Sequence, residues 1–171
     1  MNFSIKNVLT TQACAQQRGF ITSRQFTRNI LDLDTEGSWH ALHSSVGIIS
    51  IFAFFDFAAA FPSVIHEFMF ATLSAYSFPL GFVSAVAGLY AMNLAFTVGN
   101  GHLDFLFLIW SGVLQGCPLS GSLFAMVMDP FLRAMVAQVE APQLGIIRAC
   151  ADDVGAALRD FRSLVLLADI F

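Results

Sequence analysis

The stretch Arg148-Ala149-Cys150-Ala151-Asp152-Asp153-Val154-Gly155-Ala156-Ala157-Leu158 sets two adjacent carboxylates among small and apolar residues. Burying two acids together is costly unless positive charge compensates them. The flanking runs, Ile146 to Ala151 and Val154 to Leu158, are short and apolar, and they predict a hairpin with Asp152-Asp153 at its turn. A third acid stands in a similar setting earlier in the chain, in Ile51-Phe52-Ala53-Phe54-Phe55-Asp56-Phe57-Ala58-Ala59-Ala60-Phe61. There Asp56 ends an Ile- and Phe-rich run, Gly47 to Phe55, whose length fits a buried strand.

Helices and a second hairpin are predicted around these two strands. Asn29 to Leu42 carries a short helix, Pro62-Ser63 starts another over Val64 to Ser74, and Phe82 to Tyr90 forms a third. Leu94 to Val98 and His102 to Ile109 flank Gly99-Asn100-Gly101, residue types that tolerate positive φ at a tight turn. A glycine-containing loop from Ser111 leads into a helix over Ser120 to Val139, with Leu123, Phe124, Val127, Phe131 and Met135 on its core face and a kink expected at Pro130. Phe161 to Phe171 begins a further helix. Mixed helices and hairpins make an α+β chain.

Composition bounds the function. The 171 residues suffice for one domain with a real core. With 57% hydrophobic and 12% charged residues, the chain lies on the apolar side of ordinary soluble domains. Lys6 is the only lysine, and the net charge is −4, so the basic surface expected of a freestanding nucleic-acid enzyme is missing. Cys14, Cys117 and Cys150 form no zinc or disulfide pattern and read as buried thiols of a reducing, intracellular (nuclear or cytoplasmic) compartment. Pro79 to Val98 has the length of a bilayer span and no charge, but its glycines, Asn93 and helix-plus-strand pattern argue against one span, so no membrane association is assigned.

Asp56 at a strand end and Asp152 at a hairpin turn would converge if their strands pair. Such carboxylates can bridge two Mg²⁺ ions roughly 3.5–4 Å apart for nucleotidyl transfer to a 3′-hydroxyl. Asp153 projects differently from Asp152 and is expected to be the lesser ligand. Phe61 could pack under the sugar of an incoming nucleotide. Gln115-Gly116-Cys117-Pro118-Leu119-Ser120 forms a loop whose backbone can come close to a ligand. Singly, each also has a plainer reading: a turn acid, a core phenylalanine, a linker before a helix.

In order along the chain, these segments resemble the reverse transcriptases of the non-LTR retrotransposon type. Ile51–Val64 (IFAFFDFAAAFPSV) is similar to the first palm motif, Gly112–Phe124 (GVLQGCPLSGSLF) to the second, and Cys150–Asp153 (CADD) to the third. Gln17-Arg18-Gly19-Phe20, with Arg24 and Asn29-Ile30, is similar to the fingers segment, and Ser4-Ile5-Lys6-Asn7 more faintly to an earlier one. The chain departs from the pattern at Cys150, where an aromatic residue is usual, at Pro62, where many relatives carry an acid, and at Gly121, where proline is usual.

The resemblance implies a polymerase palm with an antiparallel sheet and helices packed on one face, truncated before the thumb. Residues 1–45 would be a partial fingers segment and 46–171 the palm, incomplete at its C-terminal side. It implies RNA-directed DNA synthesis with two Mg²⁺ (or Mn²⁺) ions and no other cofactor. The partners would be RNA template, DNA primer and deoxynucleoside triphosphate, held in a full-length parent that supplies the missing C-terminal region. Asp56, Asp152 and Asp153 fall at the catalytic, metal-binding positions. Phe61 falls at the sugar-discriminating position, Gln115 and Gly116 near template and nucleotide, and Arg24 and Lys6 near the triphosphate. Two other readings stay open at this point: a non-catalytic retroelement remnant, and a small membrane or scaffold protein.

Overall fold

A computed structural model describes residues 2–170, with side chains from Ser4 onward. The chain order is α1 (Asn2–Gln12), α2 (Thr27–His43), β1 (Ile51–Phe55), α3 (His66–Ala75), α4 (Leu80–Tyr90), β2 (Leu94–Gly99), β3 (His102–Leu108), α5 (Ser120–Val139), β4 (Gly145–Cys150), β5 (Asp153–Leu158) and α6 (Phe161–Ala168). The predicted end of the last helix at Phe171 lies outside the described residues.

The central feature is an antiparallel sheet of order β1-β5-β4. Its middle strand, Val154-Gly155-Ala156-Ala157-Leu158, is buried on both faces, and its small residues let helices approach from either side. On one face, Leu132, Met135 and Val139 of α5 and Leu167 of α6 pack over Ile147, Ala149, Val154, Ala156 and Leu158. On the other lies α2, with Leu33 against Gly155 and Gly37 against the Phe52 ring. The expected layer of helices on one face is therefore joined by a helix from the N-terminal segment on the opposite face.

β1 is shorter than the predicted Gly47–Phe55 run because its pairing stops at Ile51↔Leu158, where β5 ends. It is an edge strand buried along one face only, so Phe52 and Phe54 stay exposed while Ile51, Ala53 and Phe55 turn to the core. β2 and β3 form a separate two-stranded hairpin on the turn Asn100-Gly101, whose φ values are 50° and 79°. Pro79 to Val98 thus divides into α4 and β2. Among the described residues, α5 alone is long and apolar enough to cross a membrane, and most of it is buried inside the protein as its core helix. α5 runs unbroken through Pro130.

α1 forms in a segment where the sequence predicts no regular element. It is held by Ile5, Leu9 and Ala13, which enter the larger core cluster with Leu123, Phe124 and Met126 of α5. Its end is fixed by Asp129, an α5 carboxylate only 1% exposed, which accepts from the Cys14 amide, the Tyr76 hydroxyl and the Arg133 guanidinium. Burial, then the bond to Asp129, pushes the Tyr76 hydroxyl well above its ordinary pKa, so it stays a donor.

A second polar junction ties α2 to the sheet. Asp32 accepts from Arg18 at 2.7 Å and Arg148 at 2.8 Å, and Arg148 also reaches Glu140 at 2.9 Å. Burial works against the Asp32 charge, but the two arginine hydrogen bonds outweigh it and hold the carboxyl below its ordinary pKa. A depressed carboxylate contributes stability that is present at neutral pH and lost as pH falls through its folded pKa. Acid titration of unfolding should therefore show a steeper loss of stability below about pH 4 in the parent chain than in Asp32→Asn.

Candidate active site

The sheet register decides where the acids go. Phe55 pairs with Val154 and Cys150 with Asp153, so Asp56, the residue that follows β1, leaves the sheet at the end where the β4–β5 turn lies. Asp56, Asp153 and Cys150 line one cleft of about 330 Å³ with Arg148, Phe54, Leu33 and Asn29. Asp152 occupies the turn with Ala151, at the same end of the sheet. Asp153 is thus the first residue of β5 and not a turn residue, and it shares the cleft with Asp56. Asp56 and Asp153 are exposed and Asp152 is half-buried. Burial, followed by the negative charge of Asp153 and Asp152, raises the Cys150 thiol above its ordinary pKa, so it remains a neutral thiol at pH 7.

The donor set at this edge is all carboxylate oxygen, the chemistry that hard divalent cations take. Among the described residues, no three His, Cys, Asp or Glu side chains gather into a group able to hold a metal ion.

The turn is braced from behind by a strap of the N-terminal segment. Gln16 to Arg18 run alongside β4, with the Arg18 amide donating to the Ala149 carbonyl at 2.8 Å and the Ala149 amide to the Gln16 carbonyl at 2.9 Å. Asn29 of α2 donates to the same Ala149 carbonyl at 2.9 Å. The Gln17 side chain is fully buried and bonds both backbone groups of Ala151. Gly19 lies so close to the turn that a Cβ there would fall 2.2 Å from the Ala151 nitrogen. Gln17 and Asn29 carry no sequence signal for this role, since their partners lie more than a hundred residues away in the chain.

A second recess, of about 500 Å³, gathers the two expected cations. Lys6, Arg24 and Arg18 line it with Phe20, Cys117, Pro118 and Gly121, joining the fingers-like segment to the Gln-Gly-Cys-Pro loop. Arg24 also donates to the carbonyls of Ala13, Cys14 and Gln17 at 2.5–3.0 Å, so much of its hydrogen-bonding capacity holds the strap. Phe20 packs on Gly121, where a Cβ would lie 2.4 Å from its ring, so the absence of proline at that position fits this local packing. Phe61 is half-buried, stacked on Phe124 at 4.4 Å and edge-on to Phe20 at 5.9 Å. Gln115 and Gly116 stand at an exposed turn of the loop and do not line the recess. Gly112, at φ 95°, sits where a Cβ would fall 3.0 Å from the Pro62 backbone, and the Gly112 and Val113 amides donate to the Val64 and Phe61 carbonyls at 2.7 and 2.8 Å, so the first and second motif segments are stitched together.

These segments recur together in known proteins. Residues 1–159 match the family model for reverse transcriptase (RNA-dependent DNA polymerase). The chain belongs to the reverse transcriptase family. It is 33% identical over 124 residues to the Transposon TX1 uncharacterized 149 kDa protein of Xenopus laevis, matching 69% of this chain and 10% of that protein. It is 35% identical over 128 residues to the retrovirus-related Pol polyprotein from type-2 retrotransposable element R2DM of Drosophila melanogaster, matching 74% of this chain and 12% of that protein. The chain therefore spans about a tenth of the length of these relatives. Its fold is similar to apo telomerase from Candida tropicalis, with TM-score 0.72 at 10% identity, covering 98% of this chain and 32% of that one. Telomerase from Candida albicans, in complex with a fragment of telomeric RNA, gives TM-score 0.68 at 13% identity and covers 99% of this chain and 31% of that one. At such identities the likeness is one of fold, and it agrees with a reverse transcriptase palm.

Proposed function

We propose that this chain carries the palm active site of an RNA-directed DNA polymerase that adds deoxynucleotides to a primer 3′-hydroxyl on an RNA template. The observation that supports it most is that Asp56 and Asp153 line one cleft at the end of the sheet, with Asp152 in the adjoining turn. Asp56, Asp152 and Asp153 would hold two Mg²⁺ ions, or Mn²⁺ in their place. Bound there, the two metals would help deprotonate the attacking hydroxyl and offset charge on the leaving pyrophosphate. Lys6 and Arg24 would lie against the triphosphate and neutralise part of its charge. Phe61, fixed between Phe20 and Phe124, would set the space left for the sugar. Gln115 and Gly116 would meet the template–nucleotide pair from their loop.

Residues 1–45 act in this reading as a fingers segment and the remainder as palm. A net charge of −4 offers little to a nucleic-acid backbone. The grip on template and primer would come from other parts of a larger parent protein. Single-nucleotide extension needs no such sustained grip. Extension of a DNA primer on an RNA template, with Mg²⁺ and the chain in excess, should fall at least a hundredfold in Asp152→Asn, the size of effect that loss of one transition-state charge stabiliser carries. Equal incorporation by the two chains would reject the polymerase site and leave a non-catalytic remnant.

A further inference from the structure

We propose that Gln17 is the positioning residue of the acid-bearing turn, a role that rests on the polymerase-site reading for its consequence but not for its geometry. The β2–β3 and β4–β5 hairpins solve the same problem differently. The β2–β3 turn uses Asn100-Gly101, residue types that adopt positive φ readily. The β4–β5 turn uses Ala151-Asp152, and Ala151 stands at φ 59°, a conformation that a Cβ disfavours. Something outside the hairpin has to hold it there.

Gln17 does so with both ends of its amide. Its Oε1 accepts from the Ala151 amide at 2.9 Å and from the Gly19 amide at 2.7 Å, while its Nε2 donates to the Ala151 carbonyl at 3.0 Å. The side chain is fully buried, so water does not compete for these bonds. The two bonds to one residue fix the peptide planes on either side of Ala151, and hence the direction in which Asp152 leaves the turn. The strap residues on either side, Gln16 and Arg18, are themselves bonded to β4, so the amide has a rigid base.

This predicts a coupling that a merely packed side chain would lack. Gln17→Met fills the space without hydrogen bonds, and Ala151→Gly makes positive φ free of strain. Two readouts are needed: hydrogen exchange at the Ala151 amide, and Mn²⁺ binding followed by electron paramagnetic resonance. Gln17→Met should remove the protection of the Ala151 amide and weaken Mn²⁺ binding about tenfold, the order of effect that left-handed strain at a non-glycine residue carries. In the Ala151→Gly background the same substitution should weaken Mn²⁺ binding less than about threefold. Equal losses in both backgrounds, or an Ala151 amide still protected in Gln17→Met, would overturn the proposal.

If methionine costs the fold, Gln17→Glu keeps the volume and the accepting oxygen. It should keep the Ala151 amide protected while weakening Mn²⁺ binding, and unchanged Mn²⁺ binding would again overturn the role. The exchange readout involves no metal. Should the parent chain show no Mn²⁺ binding that depends on Asp152, the polymerase site fails while the Ala151 amide still decides the role of Gln17.

Discussion

Gly19→Ala should destabilise the chain by about 3 kcal/mol, the upper part of the range for overpacking a close contact. The new methyl would meet backbone, not a mobile side chain: the Ala151 nitrogen at 2.2 Å and its Cα at 2.9 Å. Neither partner can yield cheaply. The strap is bonded to β4 on one side of Gly19, and the turn is fixed by Gln17 on the other. For a chain of this size the midpoint of thermal unfolding should fall by roughly 6–12 °C. Gly121→Ala makes an informative contrast. The atoms its methyl would meet first all belong to the half-exposed Phe20 side chain, which can give way toward solvent where backbone cannot, so a shift of no more than a few degrees is expected. Similar shifts for the two would mean that the strap does not press on the turn as described.

Asp129→Ala should cost about 4 kcal/mol. The change leaves the Cys14 amide and the Tyr76 hydroxyl without their acceptor, and it strips Arg133 of its partner. Each orphaned buried donor costs about 1–3 kcal/mol. Arg133 is more than half exposed and adds little, since water screens it. The comparison with Tyr76→Phe separates the contributions in chemical denaturation. Tyr76→Phe removes one donor and leaves the carboxylate its other two, so it should cost about a third as much. An Asp129→Ala chain as stable as the parent would show that α1 is not anchored through this node.

Much of the fold was legible because it was written in local patterns. The Gly99-Asn100-Gly101 turn, the α5 limits and the acid-bearing hairpin all follow from spacing and turn chemistry. What escaped depended on distant partners. α1 reads as polar chain because it has few apolar residues, among them Ile5, Val8 and Leu9, and the surface it packs on belongs to α5. The length of the Gly47–Phe55 run fits a buried strand, yet β1 lies at a sheet edge, which only the pairing order reveals. At the site, the acids were visible as acids, but which one faces Asp56 depends on register. A two-residue turn at Ala151-Asp152 makes Asp153 the first residue of β5, and it is Asp153 that lines a cleft with Asp56. The bracing by Gln17, Asn29 and Arg18 was hidden because polar residues in a loop give no periodic signal.

Whether Asp56 and the hairpin acids together form a cation site is decided by anomalous diffraction from Mn²⁺ in crystals of this chain soaked with a deoxynucleoside triphosphate. The expected result is a Mn²⁺ peak at coordinating distance, about 2.2 Å, from an Asp56 oxygen and from an oxygen of Asp152 or Asp153. Mn²⁺ bound only elsewhere, for instance beside Glu36 and His40, or absent from the sheet end with the nucleotide in place, would contradict it.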